Sequence, residues 1–544
     1  MKTDQRQEKL FCNLPELLPG FRDAEGVGTG WVSFDYEFDD FAGVGLATGA
    51  LSPAGELVFD LKLEGWHVLH FCHSPALRVW LDDEKGYREL IDGQPYEGLR
   101  DFPMYAADMT NRKLHVAAKH GVNPREAELF YIRAVPCEGP RQSRRNLVAT
   151  EDGCGVFADM ESSRDLYKYF YPYRDSDFFR VLWGTNGSGD PWANSLKSKT
   201  GINRSCTEND GWSPWSDNFN NAIRNIIAAG DDPHAVAVAA ARDVGMEIHF
   251  YFRIGAFFTP FPHQGCVSPF FQEHPEYHCR DEWGNEVKRL SFAFPEVQEQ
   301  LLKHFDELMD YEPDGLCLAF NRGLPVMICE EPVLAEFRRR HGRDPRLPEE
   351  VDSPEMLAVR QDLLTEFVAR IHEQLAKRGK VLSCVSPKNF AENLWRGLDV
   401  EALVKRGLLE SVMVGSGHDD SLFRRKTGAP VVSDDDMEPV KRLKALGNAK
   451  VYLGGGSTGN FWPHGDAKTR VRRMQAIHNA GLDGGFFWDA RQWFGIDWEH
   501  FRQFGDPEYV EKLLNNTLPQ PRIQDTKRIG DLVVIDKYNP WNAY

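Results

Sequence analysis

The stretch DGLCLAFNRGLPVMICEEP, residues 314–332, begins as a buried strand and ends as a polar loop. Its apolar run, LCLAF, is short and uninterrupted, which is typical of a strand covered on both faces. Asn321 and Arg322 follow at once, and the acids Glu330 and Glu331 come shortly afterwards. An amide, a guanidinium and two carboxylates just beyond a buried strand indicate a polar site at the carboxyl end of that strand.

The same order of an apolar run and a polar ending recurs along the second part of the chain. Eight runs have this form, at residues 155–160, 178–186, 246–255, 314–323, 380–389, 410–420, 450–460 and 483–493. Between them, apolar residues recur with helical spacing in segments 233–245, 297–311, 356–379, 400–409, 439–447, 467–481 and 506–516. Eight strands that each lead into a crossover predict a closed (β/α)8 TIM barrel, of the α/β class, over residues 149–516.

The first part of the chain has a different rhythm. Between residues 30 and 136, short segments alternate apolar and polar side chains and are separated by Gly, Pro and Asp. Such alternation predicts half-buried antiparallel strands, and their spacing is typical of a β-sandwich. We therefore predict an N-terminal antiparallel β-sandwich domain over residues 1–148, closed by the basic linker 139–146. For residues 517–544 we predict a C-terminal tail, with one short strand, that packs on the body.

The composition narrows the classes of function. The chain has 544 residues and a net charge of −18, whereas a surface that binds nucleic acid needs a basic excess. No apolar run approaches the roughly 18 residues that span a bilayer, and the N-terminus lacks the apolar core of a secretory signal. Ten cysteines are scattered singly, as in a reducing compartment. We expect a cytoplasmic protein with no nucleic-acid or membrane partner, and leave a homo-oligomer open.

Polar and aromatic residues follow most of the predicted strands. In a barrel, the loops after the carboxyl ends of the strands form a single face, so these residues are expected to converge. The predicted substrate-binding residues are Asn186, Arg253, Asn321, Arg322, Lys388, Asn389, His418, Asp419, Trp488 and Trp493. Singly, each has an ordinary structural reading, such as a turn cap or an ion pair. Together on one rim they predict a ligand site.

Tryptophans are frequent at or just after the predicted strand ends. They are Trp183, Trp192, Trp212, Trp215, Trp462, Trp488 and Trp493. The C–H face of a sugar ring stacks on an indole ring, and the sugar hydroxyls need amide, guanidinium and carboxylate partners. The combination predicts a carbohydrate substrate, while tryptophan is also a common core residue.

One longer segment carries a family resemblance. Residues 273–323, EHPEYHCRDEWGNEVKRLSFAFPEVQEQLLKHFDELMDYEPDGLCLAFNRG, resemble the glycoside-hydrolase-like (β/α)8 barrel proteins that are widespread in bacteria. The matching pieces are His274-Pro275-Glu276, Asp281, Gly284, Phe294-Pro295-Glu296-Val297 and Asp314-Gly315. The resemblance implies a sugar-processing barrel, in a group whose members are mostly uncharacterised. The resemblance leads us to expect an acid in the fourth strand, but this chain has Ala319 at that position. The predicted seventh strand also does not end in the Glu that many retaining barrels have there.

Hydrolysis of a glycosidic bond requires two carboxyl groups that flank it, one protonated and one ionised. The candidates are Glu330 or Glu331 from the fourth loop, together with Asp489 from the eighth strand. The apolar neighbours of Asp489 in GGFFWDARQW would desolvate it, as suits a catalytic acid. Asp419 is the main substitute. Glu330 and Glu331 equally suit the first turn of a helix, because they precede Pro332.

Two other chemistries remain open. His274 and His278 have the i, i+4 spacing of metal ligands, but a proline lies between them and the Glu of an HExxH motif is absent. The glycine-rich loop 454–459 follows the seventh strand, where barrels often hold phosphate. We expect a glycoside hydrolase for a small oligosaccharide or glycoside, without a metal or another cofactor. The alternatives are a sugar lyase or isomerase, with or without a metal, and a carbohydrate-binding barrel without catalysis.

Overall fold

The structure is a computed structural model of the chain. It describes residues 7–24, 30–48, 54–73, 77–90, 99–118, 127–151, 160, 162–185, 225–254, 269–321, 323–415, 421–430, 436–454, 467–490, 498–518, 523–524, 526–530 and 532–533. Within these ranges the chain forms two large antiparallel sheets and a closed parallel barrel. The predicted fold class, an α/β barrel with an N-terminal antiparallel β-sandwich, is confirmed.

Two antiparallel sheets make up the N-terminal part. Their strands are β1 (Lys9–Phe11), β2 (Val32–Phe38), β3 (Ala42–Thr48), β4 (Leu57–Phe59), β5 (Trp66–His73), β6 (Leu77–Leu81), β7 (Arg88–Leu90), β8 (Leu99–Asp108), β9 (Leu114–Ala118) and β10 (Ala127–Pro136). One sheet contains the order β8-β5-β10-β3-β2 with β1 beside β10, and the other has the order β4-β9-β6-β7. Apolar side chains from both sheets, such as Phe71 and Val116, are fully buried in one core. This is the packing expected of a sandwich.

Eight parallel strands close into the barrel. They are β11 (Leu147–Glu151), β12 (Phe178–Gly184), β13 (Glu247–Arg253), β16 (Gly315–Ala319), β17 (Val381–Pro387), β18 (Ser411–Gly415), β19 (Lys450–Gly454) and β20 (Gly484–Phe487), and a hairpin of β14 (His278–Arg280) and β15 (Glu286–Leu290) follows β13. Ala149 of β11 lies opposite Phe487 of β20, which closes the ring. Every residue of β16 and β18 is buried, because side chains fill the barrel inside and helices cover it outside.

The first strand of the barrel is not where we predicted it. The closed ring of eight strands begins with β11, which precedes the segment 155–160 that we predicted as its first strand. Residue 160 is not in a strand, and the rest of that segment lies outside the described ranges. The five residues of β11, LVATE, follow a basic segment and end in two polar residues. They therefore resemble the exposed strands of the first domain more than a buried barrel strand.

Seven helices of the described ranges match the seven predicted helical segments closely, and five more, which begin at Pro269, Glu331, Phe390, Ser421 and Trp498, were not among the predicted segments. They are α1 (Pro233–Asp243), α2 (Pro269–Glu273), α3 (Pro295–Met309), α4 (Glu331–His341), α5 (Pro354–Lys377), α6 (Phe390–Trp395), α7 (Val400–Lys405), α8 (Ser421–Thr427), α9 (Glu438–Ala445), α10 (Ala467–Asn479), α11 (Trp498–Phe501) and α12 (Pro507–Leu514). Side-chain oxygens of Asp232, Ser353 and Asp399 cap helix N-termini, as these residue types favour. In the described part of the chain, no helix is both long enough and apolar enough to cross a bilayer.

The C-terminal segment returns to the first domain. Its described strands are β21 (Ile523–Gln524), β22 (Thr526–Ile529) and β23 (Leu532–Val533). Ile523 pairs with Arg100 of β8, and Ile529 pairs with Tyr36 of β2. The tail that we predicted to pack on the body therefore adds strands to the N-terminal sheet.

A buried ion-pair network fills the amino-terminal end of the barrel. The Arg180 guanidinium donates to Glu247 Oε2 at 2.7 and 3.0 Å and to Glu410 Oε2 at 2.8 Å. It also donates to Ser411 Oγ at 2.8 Å. Arg180 holds the pKa of Glu410 at about 2, against the opposing effect of burial. This network lies at the end of the barrel where side chains serve stability, opposite the face that carries ligands in barrel enzymes.

Candidate active site at the barrel mouth

The carboxyl ends of the strands bring together side chains from strands that are not neighbours in the barrel. Arg253 ends β13, and Trp488 follows β20, two strands that are separated by β11 and β12 in the ring. The Arg253 guanidinium carbon lies 5.9 Å from the centres of the Tyr251 ring and the Trp488 ring. Two residues that we predicted in the site therefore meet across the interior of the barrel.

Tyr251 joins these two residues and was not predicted. Arg253 Nε donates a hydrogen bond of 3.2 Å to the Tyr251 hydroxyl. The Tyr251 and Trp488 rings meet edge to face, with centroids 5.4 Å apart, a favoured geometry for aromatic pairs. Tyr251 and Arg253 lie on the same face of β13, and Arg253 is nearer the strand end. The buried rings of Tyr251 and Trp488 therefore form an apolar floor beneath the Arg253 guanidinium. An alternating pattern in EIHFYFR, with Tyr251 and Arg253 on one face, is the sequence signal that would have found it.

Asp489 has an unusual backbone conformation directly after Trp488. Its φ angle is +42°, in the left-handed region, where a non-glycine residue costs about 1 kcal/mol or more. Its backbone N–H donates a 2.8 Å hydrogen bond to Thr150 Oγ1 on β11, and its side chain is half-buried. This hydrogen bond holds the left-handed conformation of Asp489, where the chain leaves β20 at the barrel mouth. Such strain at a strand end is a sign of a functional position. We name Tyr251, Arg253, Trp488 and Asp489 the mouth cluster.

Asn321 and Lys388 are also buried at strand ends. Asn321 follows β16 and Lys388 follows β17, and both side chains are nearly inaccessible. No residue in the described ranges donates to the Asn321 side-chain oxygen Oδ1. A buried amide oxygen without a donor is costly, so this atom is suited to accept from a ligand hydroxyl.

Asn389 has a local structural role. Its Oδ1 accepts a 3.1 Å hydrogen bond from the backbone of Glu392 and caps α6. Its amide nitrogen Nδ2 is buried and has no acceptor among the described residues. The oxygen is therefore committed to the helix, while the nitrogen keeps its donors. The prediction that Asn389 binds substrate remains a prediction.

Glu330 ties two mouth loops together. Its carboxylate is buried, and it accepts from the backbone N–H of Arg280 at 3.0 Å and from that of Ile328 at 2.8 Å. Desolvation raises its pKa. Both oxygens are thus occupied by backbone donors, one from the β14–β15 hairpin and one from the loop after β16. This arrangement favours an architectural role over the catalytic role that we predicted.

Glu331 lies on the solvent side of α4. Its side chain is 69% exposed and forms an ion pair with Arg338 of the same helix. The acid stands in the first helical turn, where it interacts favourably with the helix dipole. The helix-terminus interpretation of this residue, which the sequence left open, is the one that its position supports.

Trp183 and the two histidines of segment 274–278 are held by local contacts away from the mouth cluster. Trp183 points away from the barrel interior, and its Nε1 donates to His234 Nδ1 of α1 at 3.3 Å. His274 bonds to Glu276, whereas the ring of His278 bonds to Glu286 and to a backbone carbonyl. Across the part of the chain that the structure describes, no group of His, Cys, Asp and Glu side chains is arranged to hold a metal ion.

A buried carboxylate at the end of β11 was missed. Glu151 is fully buried, and the Tyr173 hydroxyl donates to it at 2.8 Å. Glu151 lies on the same face of β11 as Ala149. Ala149 is paired with Phe487 of β20, and the Phe487 ring packs outside the barrel against Phe501. Glu151 therefore faces the layer outside the barrel wall and not the mouth.

Five of the predicted substrate-binding residues lie outside the described ranges, as do the tryptophans Trp192, Trp212, Trp215 and Trp462. The five are Asn186, Arg322, His418, Asp419 and Trp493. The glycine-rich loop after β19 also lies there, from residue 455 onward. Their roles remain predictions.

Comparisons with known proteins give structural likenesses only. No protein-family model matches the chain, and no curated protein matches it. Among solved structures, the glycoside hydrolase domain of PgaB (BpsB) from Bordetella bronchiseptica has a TM-score of 0.39 and 13% identity, over 67% of this chain and 98% of that one. The Thermus thermophilus α-galactosidase in complex with stachyose has a TM-score of 0.38 and 11% identity, over 87% and 99%.

An α-xylosidase from Xanthomonas citri is a third structural neighbour, with a TM-score of 0.34 and 10% identity. The alignment covers 89% of this chain but 54% of the xylosidase, so the chain spans about half of that protein. The neighbours named here are glycoside hydrolases. At these scores the function has to be argued from the barrel mouth itself.

Proposed function

We propose that the protein is a glycoside hydrolase that acts on a small oligosaccharide or glycoside at the barrel mouth. The observation that carries the proposal is the contact across the barrel between Arg253 and Trp488, and Asp489 is the residue that follows Trp488 in the chain. A guanidinium donor, a carboxylate and an aromatic floor are the groups that a sugar ring requires. All of them lie on the face where barrel enzymes place their active sites.

Each residue of the mouth takes a distinct part in the proposed reaction. Asp489 supplies one carboxyl group of the pair that hydrolysis needs. Arg253 donates hydrogen bonds to sugar oxygens, and Asn321 accepts one from a hydroxyl. Tyr251 and Trp488 hold the Arg253 guanidinium in position, since they support it from below.

The second carboxyl group has to come from another loop. Both oxygens of Glu330 are occupied, and Glu331 points to solvent. We propose Asp419, the substitute predicted from the sequence, which lies outside the described residues. Whether configuration at the anomeric carbon is retained or inverted depends on the separation of Asp489 and Asp419.

The test is turnover of a panel of aryl glycosides by Asp489→Asn and Asp419→Asn. Loss of a catalytic carboxyl group should lower kcat by about 100-fold or more. Asp362→Asn is the matched control, because Asp362 is exposed and pairs with Arg340 on the helical surface. Unchanged turnover in Asp489→Asn would refute the proposal.

A carbohydrate-binding barrel without hydrolysis is the second candidate. In the described ranges, Asp489, two residues after β20, is the one carboxylate just beyond the carboxyl end of a barrel strand, whereas hydrolysis needs two. Calorimetric binding of a sugar, with no product from any glycoside of the panel, would select this candidate.

A further inference from the structure

The β14–β15 hairpin presents a tryptophan to solvent. Trp283 is 68% exposed, and it is the only aromatic residue among the large, exposed apolar side chains of the described ranges. Tryptophan is highly buried on average in folded proteins. Apolar residues that are exposed singly are common, but this indole ring at the tip of a hairpin offers a flat apolar surface on which a ligand can stack.

The hairpin turn that carries Trp283 is rigid. The Asp281 carboxylate accepts from the backbone N–H of Trp283 at 3.0 Å and from that of Asn285 at 2.7 Å. It also accepts from the Asn285 side-chain amide at 2.9 Å. These bonds fix the backbone on both sides of Trp283, so less conformational entropy is lost when the ring binds a partner.

The hairpin is fastened beside the mouth. It belongs to the loop after β13, on the carboxyl-end face of the barrel. Arg289 donates to the backbone carbonyls of Gly323 and Pro325 at 2.6 and 2.8 Å, and Glu330 accepts from Arg280. Gly323 is two residues beyond Asn321, so the base of the hairpin adjoins the mouth.

The charges around the ring indicate the kind of partner. Asp281, Glu282 and Glu286 lie within three residues of Trp283. Arg280 also lies within three residues of the ring, and Lys288 pairs with Glu286 at 2.8 Å, so the acids leave a small excess of negative charge, which disfavours an anionic ligand such as a uronic acid or a phosphorylated sugar. The C–H face of a neutral pyranose fits the ring and brings no charge.

We infer that Trp283 is an outer subsite, which stacks a neutral pyranose unit of an oligosaccharide whose other end occupies the mouth cluster. The inference rests on the proposed function, because the mouth has to bind a sugar. It adds that the natural ligand is long enough to extend from the mouth to the hairpin.

The test is binding to an array of neutral and acidic oligosaccharides, followed by calorimetry on the bound series at one to six units. Wild-type affinity should rise at the length that reaches the hairpin, and Trp283→Ala should lose that rise, about tenfold in Kd. Trp283→Phe should keep part of it. Ile227→Ala is the matched control, since Ile227 is 49% exposed on the barrel surface.

The outcomes separate this inference from the proposed function. If the wild type binds and Trp283→Ala binds every length equally well, the outer subsite is refuted while the mouth proposal stands. If the wild type binds no carbohydrate, both fail. If sedimentation shows a wild-type dimer that Trp283→Ala breaks, a second copy of the chain covers the ring, and the inference is overturned.

Discussion

Replacing Glu330 by alanine tests whether its carboxylate holds two loops together or takes part in catalysis. The substitution removes the acceptor from two backbone N–H groups, those of Arg280 and Ile328. A buried donor left without a partner costs about 1–3 kcal/mol, so we expect the free energy of unfolding to fall by about 2–6 kcal/mol. Glu330→Gln keeps one acceptor oxygen and should lose roughly half as much.

The assay is urea unfolding combined with hydrogen exchange. In Glu330→Ala the amides of Arg280 and Ile328 should exchange faster, because these two donors lose their acceptor. The amides of β17, a strand that comes after α4 and α5 in the chain, should exchange at the wild-type rate. Glu331→Gln is the control, since the Glu331 side chain is 69% exposed and its ion pair lies on the surface; its unfolding free energy should change by less than about 1 kcal/mol.

Activity gives the result that would refute this reasoning. Once a substrate is known, Glu330→Gln should keep most of its kcat, because no step of the proposed reaction uses Glu330. A Glu330→Gln variant that unfolds like the wild type and has no turnover would show that the carboxylate is catalytic after all.

Three further predictions concern the stability of the barrel. Burial lowers the pKa of His304 to about 3 from its ordinary 6.5. Below pH 6.5 the unfolded chain therefore binds a proton that the folded chain does not. The free energy of unfolding should fall by up to about 1.4 kcal/mol per pH unit between pH 6.5 and pH 3. Urea unfolding at pH 7 and pH 5 should show a weaker pH dependence in His304→Leu, and an identical dependence would contradict this assignment. Arg180→Met leaves Glu410 without its main partner and should lower the free energy of unfolding by about 3–5 kcal/mol; a loss below about 1 kcal/mol in the same assay would show that the network adds little. Gly315→Ala should destabilise by about 1–3 kcal/mol, because its Cβ would lie 2.6 Å from the Val381 carbonyl oxygen. Gly55→Ala, whose Cβ meets nothing within 4 Å, is the control for that measurement.

The barrel could be predicted because its signals are local. Seven of its strands follow apolar runs, and the helices between them have caps and helical spacing in the sequence. β11 was missed because LVATE is short and ends in polar residues, and a strand of this length has little periodicity to recognise. The pairing of the C-terminal strands with β2 and β8 could not be predicted, since it joins residues about 400 or more positions apart.

The site could be predicted only in part. The proximity of Arg253 and Trp488 could be predicted because strand ends converge in a barrel, whatever their partners, while their roles in binding stay predictions. The contacts of Glu330 could not be read from the sequence, because one of them joins it to Arg280, 50 residues earlier in the chain, and an acid before a proline looks the same in either role; its catalytic role stays a prediction. Glu151 was missed together with its strand. Local pattern thus gives the position of a side chain along the barrel axis, while its partners depend on the loops that pack around it.

The most direct test of the account is a crystal structure of Asp489→Asn with a bound neutral oligosaccharide, chosen as the tightest ligand from the array. The account predicts a sugar ring at the barrel mouth, with hydroxyls within hydrogen-bond distance of Arg253 and Asn321. A sugar bound elsewhere on the molecule, with the mouth cluster unchanged and without ligand, would contradict it.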